Sequence, residues 1–132
     1  MVDLDGLLAD NGVNKVDVIK MDIQGAEGLA LRGMSRTLAD NPQIVILTEF
    51  WPWGIEQTGQ SPLGFLKDLQ EAGFKFKAID EDEHRVREVE DVEQLVEGHD
   101  KLQYTGVYLR RSHANLICIK DGSTPSTQPR NT

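Results

Sequence analysis

Apolar residues fall in two rhythms along this chain. Residues 16–22 read VDVIKMD, with Val16, Val18, Ile19 and Met21 apolar on both parities. Such a strand is expected in a sheet covered on both faces, as parallel sheets are. Residues 43–50, QIVILTEF, have the same character. Between them Ala26, Ala30, Met34 and Leu38 recur every fourth position, with Leu31 beside them. That spacing is one face of a helix, and Asn41-Pro42 ends it. Upstream, Asp5 can cap a short helix carrying Leu7 and Leu8, with Gly12 at its end.

The second half follows the same alternation. Residues 52–60, PWGIEQTGQ, read as a loop. Ser61-Pro62 is a helix start, with Ser61 as N-cap and Pro62 at the first helical position. Leu63, Phe65, Leu66, Leu69 and Ala72 form its buried face, and Gly73 stops it. Phe74, Phe76 and Ala78 alternate with lysines, as in a strand. The run 80–91, DEDEHRVREVED, reads as an acidic solvated stretch. Val92, Leu95 and Val96 fit a short helix, and residues 115–120, NLICIK, the last strand. The domain then covers residues 1–120, and residues 121–132, DGSTPSTQPRNT, have the composition of a disordered tail. Helices alternating with four strands give an α/β layered sheet. Four strands are few for a doubly wound sheet, so strands are expected to be missing at its front.

Composition narrows the function classes. A formal net charge of −8 argues against a nucleic-acid surface, which needs clustered Lys and Arg, and against an anionic membrane face. No apolar run approaches the roughly 18–20 residues that cross a bilayer. The start MVDLDGLLADNG lacks a basic region and a cleavage site, so no signal peptide is expected. A single cysteine permits no internal disulfide. The expectation is a cytoplasmic protein.

The candidate chemistry sits at strand ends. Open α/β sheets bind ligands beyond the carboxyl ends of their strands. Asp22 lies at one such end and Glu49 at the next, and neighbouring strands are about 4.8 Å apart. Both carboxylates would then share a crevice. Gln24 and Gly25 open the following helix, and Glu27 lies in its first turn. Plainer readings stand beside this one: Glu27 as a helix-start charge, Asp22 as a cap, Glu49 paired with a lysine. Trp51 and Trp53 flank Pro52 just beyond Glu49. They either wall an acceptor pocket or pack the loop onto the sheet, with Gly54 allowing the turn. Cys118 reads as a buried small hydrophobe, and His84, His99 and His113 as exposed polar positions. His84 in its acidic run suggests no metal site, since no second histidine or cysteine has ligand spacing, and no metal is expected, although Asp22 could ligate a divalent ion in place of acting as a base.

The stretch VDVIKMDIQGAEGLALRG resembles the signature of the FkbM family of S-adenosylmethionine-dependent methyltransferases. Lys20, Asp22, Gln24, Gly25, Ala26, Glu27, Leu31 and Gly33 match that pattern. The upstream LDGLLADNGV, the spacing to Glu49 and the pair Asn115-Leu116 are also family-like, from about Val2 to Lys120. The resemblance implies a partial class I methyltransferase (Rossmann-like) sheet. Its strands would be 4-5-7-6 of a seven-stranded order, with flanking helices and the last strand antiparallel. The family's glycine-rich turn and ribose-holding acid do not occur here, so binding of the cofactor by this chain alone is not expected. The function implied is O-methylation of a hydroxyl on a sugar or other small molecule. Asp22, Glu27 and Glu49 would be the catalytic candidates, Asp22, Gln24 and Gly25 the cofactor contacts, and Trp51 and Trp53 the acceptor wall. The strand from Val16 to Asp22 would be an open edge, which predicts a homodimer through it. The competing reading is a non-catalytic remnant that associates through that edge. An unrelated α/β module of the signalling-receiver kind ranks last, for want of an acidic pair on its first strand.

Overall fold

The computed structural model describes residues 2–81, 83–99, 102–105, 108–111 and 114–120. The predicted disordered tail, Asp82 of the acidic run, His113 and the side chain of His99 lie outside what is described. Helix α1 (Leu4–Asp10) is capped by Asp3, whose carboxylate accepts the Gly6 N–H at 2.7 Å. Asp5, the predicted cap, has a different task. Its Oδ2 accepts the Arg36 N–H at 2.9 Å, and its Oδ1 accepts the Thr37 N–H at 2.8 Å and the Thr37 hydroxyl at 2.6 Å. It thus caps another helix, 31 and 32 positions along the chain. Past α1, the N–H groups of Gly12 and Val13 return to the carbonyls of Ala9 and Leu8, closing the helix as expected of Gly12.

Strand β1 (Val18–Met21) leads to two helices, not one: α2 (Glu27–Arg32) and α3 (Ser35–Asp40). The four-residue spacing is real, since Leu31, Met34 and Leu38 are buried, but Gly33 breaks the rod and Met34 starts the next piece. Asn41 ties the end of α3 to β1, accepting the Val16 N–H at 2.9 Å and donating to the Thr37 carbonyl at 2.8 Å. Then come β2 (Val45–Phe50), α4 (Pro52–Gln57), α5 (Pro62–Glu71) and β3 (Phe74–Asp80). The predicted loop 52–60 is therefore largely helical. Pro52 stands at its first position, the same start signal that marks α5 at Pro62. Ser61 caps α5 as its sequence predicts, accepting the Gly64 N–H at 2.9 Å.

The acidic run also needs correction. It holds β4 (Arg85–Val89), which pairs antiparallel with β3. Its strand pattern is masked by charges because only Val89 packs against the core. Helix α6 (Val92–His99) precedes the hairpin strands β5 (Leu102–Thr105) and β6 (Tyr108–Arg111), and β7 (Ala114–Lys120) follows. The described residues thus hold seven strands, where the apolar pattern gave four.

The main sheet runs β1-β2-β7-β3-β4. β1 and β2 are parallel, and β7 lies antiparallel between β2 and β3. One face packs against the helices through Met21, Ile46, Phe50, Phe76, Leu116 and Cys118. Burial there pushes the Cys118 thiol up to about 12. At the end of β7, Lys120 donates to the Leu38 carbonyl and lies 5.7 Å from the Phe74 ring centre, and burial pushes its pKa down.

Among the described residues the other sheet face is not covered as the apolar parity predicted. Val18 is 56 % exposed and Val86 51 %, and Leu47 and Ile79 on the strands between are exposed too. Among the described residues β1 pairs with β2 alone and forms one edge of the sheet.

Candidate active site

The carboxyl ends of β1 and β2 lie side by side, because Met21 pairs with Thr48 in a parallel register. One step further, Asp22 and Glu49 come to the same rim of the sheet. Asp22 is exposed and Glu49 half-buried. Asp22 does not cap α2. The N-cap of that helix is Ala26, with no side-chain bond, and Asp22 Oδ1 instead accepts the Gln24 amide at 3.2 Å. Glu49 stands across the ladder from Asn115.

Between Asp22 and α2 the backbone folds tightly. Gln24 has φ 57 and Gly25 φ 101, both in the left-handed region. Gly25 is required twice over. A Cβ there would fall 2.3 Å from the Gly54 carbonyl oxygen, so the strand-end loop rests directly on the backbone of α4. The Thr58 hydroxyl fastens this contact, lying 3.0 Å from the Gly25 carbonyl and 2.8 Å from that of Ile55. Gly54 fits no turn. It sits inside α4, where a Cβ would meet the Trp51 ring at 2.2 Å.

Trp51 and Trp53 therefore belong to α4 and its N-terminus. Their ring centres are 5.1 Å apart at 49°. Both residues are half-buried, so each packs on the protein and keeps an accessible part. The Gly25–Gly54 contact fixes this aromatic pair relative to Asp22.

Glu27 is the unexpected member. A helix-start charge would be solvated, yet Glu27 is 1 % exposed, and neither carboxyl oxygen has a hydrogen-bond partner among the described residues. Burial pushes its pKa up. The backbone amides of Glu27, Gly25 and Ile23 pull the other way without closing to hydrogen-bonding geometry, and the charge of Asp22 adds to the rise. The net direction is upward, because an ionised carboxylate is costly where water is excluded. Among the described residues no three His, Cys, Asp or Glu side chains are grouped to hold a metal ion. His84 is exposed in a turn at φ 50.

Sequence reasoning found every carboxylate here but missed the clamp. Thr58 and the helical Gly54 carry no signal until α4 is recognised, and Pro52 was the available cue. At the opposite rim a cavity of about 390 Å³ is lined by Leu31, Arg32, Leu38, Asp68 and Lys120, and includes none of the candidate residues. No helix among the described residues is long and apolar enough to cross a membrane.

The family comparison bears on this rim. The model of the methyltransferase FkbM domain matches residues 1–76, which includes the whole strand-end motif, Glu49 and both tryptophans. The chain belongs to the FkbM methyltransferase family. The matched region stops short of Asn115 and Leu116, where the likeness rests on the sequence pattern alone. No curated protein and no solved structure matched. Within this FkbM-family chain, the mixed α/β architecture with helices flanking a five-stranded sheet is consistent with a methyltransferase-like fold.

Proposed function

We propose that this FkbM-family chain forms the acceptor side of an S-adenosylmethionine-dependent O-methyltransferase acting on a hydroxyl of a sugar or other small molecule. The observation that carries the reading is the placement of the matched family motif. Its Asp22 is exposed at the end of β1, on the same rim as Glu49 and clamped to the Trp51–Trp53 element. The strand order supports it as well. In this reading β1, β2, β7 and β3, in that order with β7 antiparallel, would correspond to the 4-5-7-6 that the family resemblance implies, with β4 outside them.

The residues present do not make a complete donor site. Asp22 and Gln24 offer polar groups at the strand end, but the 132 residues contain no Gly-x-Gly turn to admit the methionine end. Methyltransferases generally take their methyl group from S-adenosylmethionine. The side chains on this rim act on the acceptor instead. Its hydroxyl proton passes to a carboxylate within hydrogen-bonding reach as the oxygen becomes nucleophilic. Asp22 has that role, with Gln24 fixing one of its oxygens. Glu49 orients the acceptor from the neighbouring strand, and the tryptophan rings pack on its apolar face. Buried Glu27 does not meet the acceptor directly. It sits buried behind the rim, where burial and the charge of Asp22 push its pKa up.

Calorimetric titration of S-adenosylmethionine into the 132-residue chain is expected to show no saturable micromolar binding. Such binding would overturn the assignment to the acceptor side. In a polypeptide with methyl-transfer activity, Asp22→Asn is expected to lower turnover about 10²-fold or more, typical for loss of a positioned base, with donor affinity little changed. Unaltered turnover would remove Asp22 from the mechanism. The uncovered sheet face favours a second reading, a non-catalytic domain that works by association.

A further inference from the structure

The cavity of about 390 Å³ lies at the rim opposite Asp22, where β7 ends, and the reading of the acceptor site does not use it. Its form follows from the break at Gly33. The chain turns there from α2 into α3, and Leu31 and Leu38, both buried, supply the apolar part of the wall. Helix α5 closes the other side with Ala72. Ala39 and Ala72 are small and exposed, so neither fills the space between α3 and α5. None of the lining belongs to α1 or β1, so the cavity does not depend on the open edge of the sheet.

The charges around it run against the rest of the chain. Acidic residues outnumber basic ones overall, 22 to 14. In this lining Arg32 and Lys120 stand against Asp68 alone among the described residues. Arg32 is exposed and enters no ion pair among the described residues, with Asp68 or any other acid. It is not needed as a cap either. The Ala30 and Leu31 carbonyls at the end of α2 already accept the N–H groups of Gly33 and Met34. Lys120 donates to the Leu38 carbonyl, which holds its charge at the cavity wall. Burial pushes the Lys120 pKa down, and an anion beside it would draw that value back up.

A concave apolar wall of this volume with a few polar groups is the build of a small-molecule site. We propose that the cavity binds a short aliphatic carboxylate, with its chain on Leu31 and Leu38 and its head group on Arg32 and Lys120. The guanidinium matches a carboxylate with paired N–H groups, and the ammonium adds a point charge. Beyond Lys120 the sequence continues DGSTPSTQPRNT, which offers an apolar wall nothing but two prolines. The occupant is therefore a separate molecule. The site is additional to the acceptor rim and stands whether or not that rim is catalytic.

Titration of the 132-residue chain with butanoate, hexanoate and octanoate, followed by amide chemical shifts, tests this. Affinity is expected to rise about fourfold per methylene, the effect of burying one CH₂, and to reach a Kd of about 1 mM for octanoate. The shifts should centre on Leu31, Leu38, Ala39 and Ala72. Octylammonium, with the same chain and the opposite charge, should bind there at least tenfold more weakly. Arg32→Glu should weaken octanoate tenfold or more, and Ala39→Phe, which fills the cavity, should abolish saturable binding. Both residues are exposed, and circular dichroism checks that each variant is folded. Leu47→Ser, on the uncovered sheet face, should change nothing. Absence of saturable shifts overturns the proposal, as does equal affinity for octylammonium. Binding that survives Ala39→Phe, or is lost with Leu47→Ser, places the ligand elsewhere and overturns it too.

Discussion

Replacing Gly25 by alanine should loosen the candidate site and the fold together. Two costs arise. At φ 101 an L side chain is strained, which amounts to about 1–2 kcal/mol. The new methyl carbon also falls 2.3 Å from the Gly54 carbonyl oxygen and 2.4 Å from its carbon, both backbone atoms of α4 that cannot rotate away. Overpacking of this kind costs about 1–3 kcal/mol after the neighbours shift. The sum is about 2–5 kcal/mol, a large share of the roughly 5–15 kcal/mol that holds a domain together. An entropy of unfolding near 2.1 cal/mol/K per residue, over 132 residues, converts each kcal/mol into about 3.5 °C. Differential scanning calorimetry should therefore show a drop of roughly 7–18 °C in Tm. Tryptophan emission should move to the red as well, because α4 carries Trp53 and must retreat from the strand-end loop. A Tm within about 2 °C of wild type, with unchanged emission, would refute the claim that this backbone contact positions the tryptophans.

Two further outcomes follow from buried and capping carboxylates. Glu27 has a raised pKa in the folded chain, so its ionisation favours unfolding. Stability from this group is full below its unfolded value, near 4.3, and is lost as pH rises through the folded value. Glu27→Gln should flatten that part of the pH–stability curve in urea titrations, and an unchanged slope would mean the carboxyl is solvated. Asp5 behaves in the opposite sense. Burial raises its pKa, but the Thr37 hydroxyl, the Arg36 and Thr37 amides and the Arg36 charge together outweigh that and lower it. Its contribution is present above the unfolded value near 3.9 and is lost as pH falls through the folded one. Asp5→Ala should cost about 1–2 kcal/mol at neutral pH, the usual loss for a helix cap, and much less in acid; the same urea titrations at the two pH values measure both.

The sequence made the backbone of the fold legible wherever one periodicity ruled a segment. Residues 62–71 showed their helix because Ser61, Pro62 and the leucines agree. β3 was plain because Phe74, Phe76 and Ala78 point inward in strict alternation. β4 was hidden because Arg85, Arg87 and Glu88 flank Val86, and neither face of an edge strand needs to be apolar. α4 was hidden because Trp51, Gly54 and Thr58 carry no helical pattern in isolation, and only the contact of Gly54 with Gly25 explains them. At the site, the strand-end positions of Asp22 and Glu49 could be read from the chain. The burial of Glu27 could not, since a glutamate in a first helical turn looks the same in sequence whether water reaches it or not. Coverage of the sheet was misjudged for a related reason. Apolar parity reports that a face avoids water, not what lies against it.

The late arrival of β7 governs how this chain can assemble. It is the central strand, yet the last in sequence among the described residues, and Val45 waits for Ile119 as Lys75 does. Until it emerges, β2 and β3 each lack the partner that joins them, and Ile46 and Phe76 lack the strand that lies between them. Pairing across so long a stretch of chain closes slowly, because loop entropy is lost before contacts return it. A nascent chain on the ribosome therefore holds two open half-sheets until β7 is free, and it is in that interval that chaperones or neighbouring chains would find it.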